Sequence, residues 1–162
     1  MTERDRELLS LAVERAERSR REGNHPFGAV LADGKGELLL EAGNTVPAEG
    51  DCTGHAETNL ARLASKAYPR GFLRSCSLYT SAEPCAMCAG AIYWSGIGRV
   101  VYALSEAELK ALTGDDPENP TLDLPCREVF ARGQRPVAVE GPFALASARR
   151  VHEGFWKPAG RG

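Results

Sequence analysis

The chain has 162 residues, which is enough for one folded domain over 1–162 and not for two independent cores. Apolar residues make up 43% and charged residues 26%, values typical of globular proteins rather than of disordered, collagen-like or coiled-coil chains. The formal net charge of −2, from 20 basic and 22 acidic side chains, provides no electrostatic argument for nucleic acid as a partner.

The first part of the chain predicts a helix, a β-hairpin and a second helix. Apolar residues that recur every three or four positions predict an amphipathic helix over 3–22. Two apolar runs, 27–32 and 38–42, flank an Asp-Gly-Lys-Gly turn and predict the hairpin. A loop rich in Gly, Pro, Asp and Thr occupies 44–54, and the next helix is expected over about 55–67.

The rest of the chain predicts strands that alternate with helices. Because helices separate most of the strands, the sequence predicts a three-layer α/β/α domain whose later strands are mostly parallel. A loop that contains three prolines is expected over 113–126. The predicted strands are 75–81, 99–103 and 135–140, and the predicted helices are 86–94, 106–112 and 144–155.

One imidazole and two thiols form the most informative pattern in the sequence. His55 is followed two positions later by Glu57, and Cys85 is followed three positions later by Cys88. Imidazole nitrogen and thiolate sulfur are the donors that Zn²⁺ prefers, and a helix start at Cys85 favours the thiolate form. Three protein ligands beside a carboxylate that can act as general acid and base describe a catalytic zinc site with an open position.

Two other interpretations of these cysteines stay open at this stage. The spacing of Cys85 and Cys88 is also that of a redox pair. Together with His55, Cys52 would complete a closed structural zinc site with four ligands. Against the structural site, Cys52 lies in the loop rich in Gly, Pro and Asp, and a structural zinc would leave Glu57 without a role.

No stretch of the sequence has the length and continuity that a membrane span needs. The longest uncharged run, 84–98, is shorter than a transmembrane helix and is interrupted by glycine. The first residues are charged, and no apolar signal-peptide core follows them. The sequence therefore predicts a cytoplasmic protein without a membrane partner, whose five cysteines are ligands or buried thiols rather than a disulfide framework.

The spacing His-x-Glu followed by Pro-Cys-x-x-Cys resembles the signature of zinc-dependent nucleobase and nucleoside deaminases, the cytidine deaminase-like superfamily. The segment 78–94 is most similar to the guanine deaminase branch. The chain departs from the family pattern at Cys52, where proline is common, and at Gly54, where alanine is usual. The resemblance covers about 5–112 and also includes the segments 25–30 and 51–57.

The resemblance implies a cytidine deaminase-like fold, which is a mixed five-stranded sheet with helices on both faces. It implies one Zn²⁺ per chain, bound by His55, Cys85 and Cys88, and it implies Glu57 as the residue that transfers protons. It also implies three contacts with the substrate: a hydrogen bond to Asn44, a ring carbonyl bound by the backbone N–H of Ala56, and packing of Phe27 against the base.

The segment 113–162 matches the family far less than the core of about 1–112 does, so its role is expected from the resemblance alone. Guanine deaminases similar to this chain exchange C-terminal segments in a dimer, and each segment closes the partner's pocket. The resemblance therefore implies a homodimer in which Glu153 and Trp156 belong to a lid over the substrate.

The activity expected from these features is zinc-dependent hydrolysis of a free purine base, with guanine giving xanthine and ammonia. Cytosine, nucleoside and aminotriazine deaminases are the other small-molecule candidates. Deamination of adenosine in tRNA is disfavoured by the acidic balance and by the small number of basic residues near the C-terminus. A binding domain stabilised by structural zinc is the non-enzyme candidate.

Overall fold

A mixed five-stranded sheet forms the centre of the fold in this computed structural model, which describes residues 1–156. The strands are β1 (Gly28–Ala32), β2 (Leu38–Gly43), β3 (Ser77–Ala82), β4 (Arg99–Leu104) and β5 (Ala138–Glu140). They are arranged in the order β2-β1-β3-β4-β5, and β1 is antiparallel to both of its neighbours. β3, β4 and β5 are parallel, which confirms the prediction for the later strands.

Helices cover both faces of this sheet. They are α1 (Glu3–Arg21), α2 (Val46–Glu49), α3 (Ala56–Ala67), α4 (Arg70–Leu73), α5 (Ala86–Ser95), α6 (Glu106–Thr113), α7 (Cys126–Ala131) and α8 (Ala146–Arg150). One apolar core lies between the sheet and α1, α6 and α8, and a second lies between the sheet and α3, α5 and α7. The three-layer α/β/α architecture is therefore confirmed. Within residues 1–156, none of the helices is long and apolar enough to cross a membrane.

The central strands are buried on both sides because helices cover both faces. Every residue of β1 and of β3 is buried. Successive side chains of a strand point to opposite faces, so Leu78 packs with the core under α3 and α5, and Tyr79 packs with the core under α1. The segment 83–88, which contains Cys85 and Cys88, begins immediately after β3, and the buried centre of the sheet therefore positions it.

A helix that the sequence does not predict follows the loop, which itself occupies 114–125, close to the predicted 113–126. α7 begins at Cys126, whose backbone N–H donates a hydrogen bond to the Glu83 carboxylate over 3.0 Å. This acceptor lies 43 residues earlier in the chain, so the local sequence does not reveal the start of the helix. The short helices α2 and α4 also lie in connections that the sequence predicts as irregular.

The last helix is shorter than the predicted 144–155. α8 ends at Arg150, and residues 151–155 form turns. After these turns the ring of Trp156 lies 6.0 Å from the ring of Phe27, measured between centroids, and the ring of His152 lies 5.3 Å from it. The chain therefore leaves the helix after Arg150, and His152 and Trp156 make tertiary contacts with the Phe27 ring instead.

Candidate active site

The three predicted metal ligands meet where the N-termini of α3 and α5 come together. His55 immediately precedes α3, Cys85 immediately precedes α5, and Cys88 lies in the first turn of α5. His55 Nδ1 lies 3.6 Å from the Sγ atom of each cysteine. One ligand atom from each residue lies within 4.8 Å of the others, a spacing that allows all three to bind one ion.

The chemistry of this donor set fits Zn²⁺. A hydrogen bond from the Cys88 thiol and the nearby His55 lower the pKa of Cys85, although burial opposes them. Hydrogen bonding with Cys85 and burial raise the pKa of Cys88, and a bound cation favours the thiolate form of both cysteines. Thr58 Oγ1 donates a hydrogen bond to Cys88 Sγ over 3.3 Å. Cys52, the fourth residue of the structural alternative, is exposed and lies outside the group.

Glu57 is a buried carboxyl next to these ligands, and it lies in the first turn of α3. Its Oε1 accepts a hydrogen bond from the Thr80 hydroxyl over 2.7 Å, and its Oε2 lies 3.6 Å from Cys88 Sγ. Burial raises the pKa of Glu57, and the hydrogen bond from Thr80 partly opposes that shift. A carboxyl whose neutral and ionised forms are both accessible can accept a proton and return it.

A cavity of about 360 Å³ opens beside these groups. His55, Cys85 and Glu57 line it, so a ring bound there would lie next to both the candidate metal site and the Glu57 carboxyl. The volume lies at the small end of the range for ligand pockets. Phe27 and Asn44, for which the resemblance implied contacts with the substrate, form part of the wall, and those contacts stay predictions.

The polar groups predicted to bind the substrate have hydrogen-bonding capacity to spare. Asn44 is buried, and its Oδ1 accepts a hydrogen bond from the Val46 N–H over 3.0 Å, which leaves its NH₂ group for a ligand. Ala56 begins α3, so its N–H has no acceptor within the helix, although the residue is fully buried and does not line the cavity. Their contacts with the substrate stay predictions.

The two C-terminal residues predicted to contact the substrate lie outside the cavity of the single chain. Glu153 is exposed and does not line it. Trp156 packs 5.6 Å from His25 and 6.0 Å from Phe27, between ring centroids, and its Nε1–H donates to His152 Nδ1 over 3.1 Å. Trp156 therefore supports two wall residues without lining the cavity itself, and a contact with the substrate across a dimer stays a prediction.

The loop between α6 and α7, residues 114–125, supplies part of the wall that the sequence did not predict. Glu118, Asn119 and Leu122 line the cavity from this loop. Glu118 Oε2 lies 3.4 Å from Nε2 of the buried His25, so the loop lies next to the segment before β1. No motif marks these residues, because only the tertiary structure brings them to the site.

Glu83 lies two positions before Cys85, and its carboxylate binds the first residues of two helices. Its Oε2 accepts a hydrogen bond from the Glu106 N–H and its Oε1 accepts one from the Cys126 N–H, each over 3.0 Å. The two donors begin α6 and α7, which pack on opposite faces of the sheet. The first bond also places Glu106 at the cavity, where burial and the neighbouring charges of Cys85 and Glu83 raise its pKa to about 7.

Comparison with known proteins agrees with this geometry. A family model described as the cytidine and deoxycytidylate deaminase zinc-binding region matches residues 2–104. A probable cytosine deaminase of Schizosaccharomyces pombe is 42% identical over 156 residues, which cover 96% of this chain and 94% of the relative. The guanine deaminase of Bacillus subtilis is 42% identical over 91 residues, 56% of this chain and 58% of the relative. A solved structure of a guanine deaminase from Nitrosomonas europaea has the same fold, with a TM-score of 0.70 at 24% identity over 90% of this chain and 80% of that chain.

Proposed function

This chain belongs to the cytidine and deoxycytidylate deaminase family of the cytidine deaminase-like superfamily, and from that premise we propose that it is a zinc-dependent hydrolytic deaminase of free nucleobases. One observation carries the proposal: the ligands His55 and Cys85 line the same small cavity as the buried carboxyl of Glu57. A purely structural zinc site requires neither an adjoining cavity nor a buried acid beside it.

Proton transfer by Glu57 is the part of the reaction that this chain's own residues perform. When bound, zinc supplies a Lewis acid that makes water nucleophilic near neutral pH. Glu57 accepts one proton from the attacking water and passes it to the ring nitrogen next to the reacting carbon. It then transfers the second proton of that water to the amine, which leaves as ammonia. The hydrogen bond from Thr80 holds the carboxyl in place for both transfers.

The cavity wall suits an uncharged planar ring. The Phe27 ring provides an apolar surface for packing, and Asn44 provides an NH₂ donor for a ring acceptor. Glu118 also lines the cavity, and a negative charge there disfavours a substrate that carries phosphate. These features support a free base over a nucleotide or a tRNA.

Cytosine is the substrate that we propose first. The probable cytosine deaminase of S. pombe matches 96% of this chain, so the match includes residues after 113 that build part of the cavity wall. Guanine, the substrate expected from the sequence resemblance, is the second candidate. The similarity to the guanine deaminase of B. subtilis supports guanine, and that match covers 56% of this chain. Since the wall selects the base, we give more weight to the match that includes the wall.

A panel of ammonia-release assays tests this proposal. The panel contains cytosine, guanine, adenine, their nucleosides and aminotriazines, and tRNA is assayed separately for inosine. We expect cytosine to have the highest kcat/KM and the nucleosides to have much lower values. Glu57→Gln should lower kcat/KM by roughly 10²- to 10⁴-fold, the usual contribution of general acid–base catalysis, and should leave zinc content unchanged.

Several outcomes would contradict parts of the proposal. A nucleoside that exceeds its base by about tenfold in kcat/KM would overturn the free-base assignment. A higher kcat/KM for guanine than for cytosine would make guanine the first candidate. Loss of zinc or of folding in Glu57→Gln would assign Glu57 a structural role.

A further inference from the structure

Arg20 joins the end of α1 to the turns that follow α8, residues 151–155. Its guanidinium Nη1 donates a hydrogen bond to the Val151 carbonyl over 2.7 Å, and its Cζ lies 5.6 Å from the centre of the Phe155 ring. Val151 is 3% exposed, so the guanidinium reaches a buried part of the chain. A hydrogen bond at one end of these turns and a cation–π contact at the other thus hold them against α1.

The rings at the end of these turns pack behind the wall of the cavity. Phe155 lies 6.1 Å from the His25 ring and 4.8 Å from the Trp156 ring, between centroids. Trp156 in turn lies 5.6 Å from His25 and 6.0 Å from Phe27. His25 and Phe27 line the cavity, and the two rings behind them do not. A continuous set of contacts therefore leads from Arg20 to the cavity wall.

The charge of Arg20 also acts on His152, which lies within these turns. Burial and the neighbouring charge of Arg20 lower the pKa of His152 to about 4, so the imidazole is neutral near pH 7. Only the neutral ring has an acceptor nitrogen, and His152 Nδ1 accepts the indole N–H of Trp156 over 3.1 Å. The guanidinium therefore favours the form of His152 that holds the Trp156 ring.

We propose that Arg20 is a positioning residue for the deamination: its guanidinium fixes the turns after α8, and their aromatic rings hold His25 and Phe27 in place in the cavity wall. This inference rests on the proposed deamination of free bases and adds to it a determinant of substrate binding outside the cavity. Because Arg20 does not line the cavity, its loss should weaken binding of the base and leave proton transfer by Glu57 unchanged.

A general effect on the stability of α1 is the competing explanation. Arg18, Arg20 and Arg21 all lie in the last turn of α1, where positive charge interacts favourably with the helix dipole. Arg21 is exposed and offers a matched control, because Arg21→Gln removes the same charge from the same turn. An effect on the helix end is shared by both variants, whereas loss of the contacts with the turns is specific to Arg20.

The test uses the zinc-loaded full-length protein and combines kinetics with a measurement that needs no substrate. kcat and KM for the preferred free base, zinc content and Tm are measured for the wild type, Arg20→Gln, Arg20→Lys and Arg21→Gln. Acrylamide quenching of tryptophan fluorescence is measured for the same set in a Trp94→Phe background, in which Trp156 is the only tryptophan. Trp94 is 71% exposed, so its replacement should not disturb the core.

We expect Arg20→Gln to raise KM by roughly three- to tenfold and to change kcat by less than about twofold, because part of the free energy of a charge-assisted hydrogen bond is lost from the wall. Acrylamide should quench Trp156 more strongly in this variant. Arg20→Lys keeps a positive charge and a donor but not the planar guanidinium, and it should recover part of both effects. Arg21→Gln should match the wild type.

Phe155→Leu is a second variant that leaves α1 unchanged, and it carries the test if Arg20→Gln does not fold. It removes the ring beneath the guanidinium and should also raise KM and the quenching of Trp156. If Arg20 and Phe155 act through the same turns, the double variant should raise KM by less than the product of the two single effects.

Unchanged KM in Arg20→Gln, with or without a change in quenching, would overturn the inference, and so would equal changes in Arg21→Gln. Single effects that simply multiply in the double variant would also contradict it. A wild type that deaminates no free base would instead overturn the proposed function, and the quenching of Trp156 would still show whether Arg20 holds the turns.

Discussion

At the scale of single residues, the candidate zinc site contains two neighbouring thiols whose pKa values shift in opposite directions. The hydrogen bond between them favours one thiolate at Cys85 and raises the pKa of Cys88. His55 completes the donor set from the neighbouring helix, with Nδ1 at 3.6 Å from both sulfurs. A bound ion would therefore stabilise the contact between the N-termini of α3 and α5, in addition to its role as a Lewis acid.

Substitution of single cysteines separates the three-ligand site from a four-ligand structural site. We expect Cys52→Ser to retain zinc, because Cys52 is exposed and lies outside the ligand group. Cys88→Ser should lose most of its zinc, because it removes one of the three protein ligands. Elemental analysis of the purified variants measures both effects. Loss of zinc from Cys52→Ser would contradict the three-ligand site.

Thr80 is a positioning residue for Glu57, and its hydroxyl can be removed with little change in shape. We expect Thr80→Val to lower kcat by about tenfold or more, because the buried carboxyl loses a hydrogen bond of 2.7 Å. Thr80→Ser keeps the hydroxyl and should restore most of the activity. Steady-state kinetics with zinc content and Tm as controls measure the effect. Equal kcat in the Val and Ser variants would show that the hydroxyl does not position Glu57.

The sequence predicted the site residues that have unusual chemistry and that form two short motifs, His-x-Glu and Cys-x-x-Cys. His55, Cys85 and Cys88 are identifiable because few other functions require an imidazole and two thiols in this pattern. Thr80 and Glu106 are not identifiable in that way, since threonine in a strand and glutamate at a helix start are common for other reasons. Their roles arise from contacts with residues that lie more than twenty positions away in sequence.

At the scale of elements, periodicity predicted the helices and strands that carry strong apolar patterns. α3 and β4 agree with the prediction to within a residue at each end, because burial against the sheet imposes that pattern. α7 and the end of α8 depend on distant partners, the Glu83 carboxylate and the aromatic rings around Phe27. The apolar periodicity does not contain that information, although Gly154, with φ +68°, is a local signal against a helix that continues to residue 155.

His152, in the turns after α8, makes the stability of this region depend on pH. It is 2% exposed, and burial together with the charge of Arg20 lowers its pKa to about 4. In the unfolded chain His152 binds a proton near pH 6.5, but in the folded chain it does so only near pH 4. The free energy of unfolding therefore falls as the pH drops from about 6.5 towards 4. The expected loss from this group between pH 7 and pH 5 is about 2 kcal/mol.

Urea denaturation of the wild type and of His152→Phe at pH 7 and pH 5 measures this contribution. The phenylalanine keeps a ring next to Trp156 and does not titrate, although it loses the hydrogen bond from the indole N–H. The free energy of unfolding should fall less in the variant than in the wild type between the two pH values. Equal falls in both proteins would refute the role of His152.

At the scale of the whole molecule, residues after 113 complete the wall of the cavity. We propose that 1–162 acts as one domain. We also propose that two copies of the chain form a homodimer. Within one chain, the Arg20 guanidinium donates to the Val151 carbonyl over 2.7 Å, and α8 packs on the core beneath α1. The same surfaces could receive the C-terminal segment of a second copy. The exchange of segments between subunits therefore stays a prediction.

Removal of residues 154–162 tests the role of the C-terminal segment. The truncation deletes Phe155 and Trp156, which pack around His25 and Phe27 in the cavity wall. We expect KM to rise or turnover to be lost while zinc stays bound, because the ligands lie elsewhere in the chain. Kinetics, elemental analysis and light scattering measure the three quantities. A fully active truncated protein would exclude the lid, and a monomeric full-length protein in light scattering would exclude the dimer.

Mixed subunits distinguish exchange from packing within one chain. The truncated chain keeps Glu57, and a full-length Glu57→Gln chain keeps the C-terminal segment. If segments are exchanged, mixing the two inactive or weakly active proteins should restore activity, because the intact segment closes the truncated partner's pocket. Packing within one chain predicts no recovery.

The double hydrogen bond to Glu83 has a consequence for how this enzyme could acquire new substrates. One carboxylate holds the first residues of α6 and α7, so the chain between Glu106 and Cys126 leaves and returns to the same point. The free energy of closing such a loop changes only slowly with its length. Changes of length in the loop 114–125 are therefore tolerated better than changes in α6, whose Leu109 is buried in the core, because the ends of the segment and the neighbouring Cys85 stay in place.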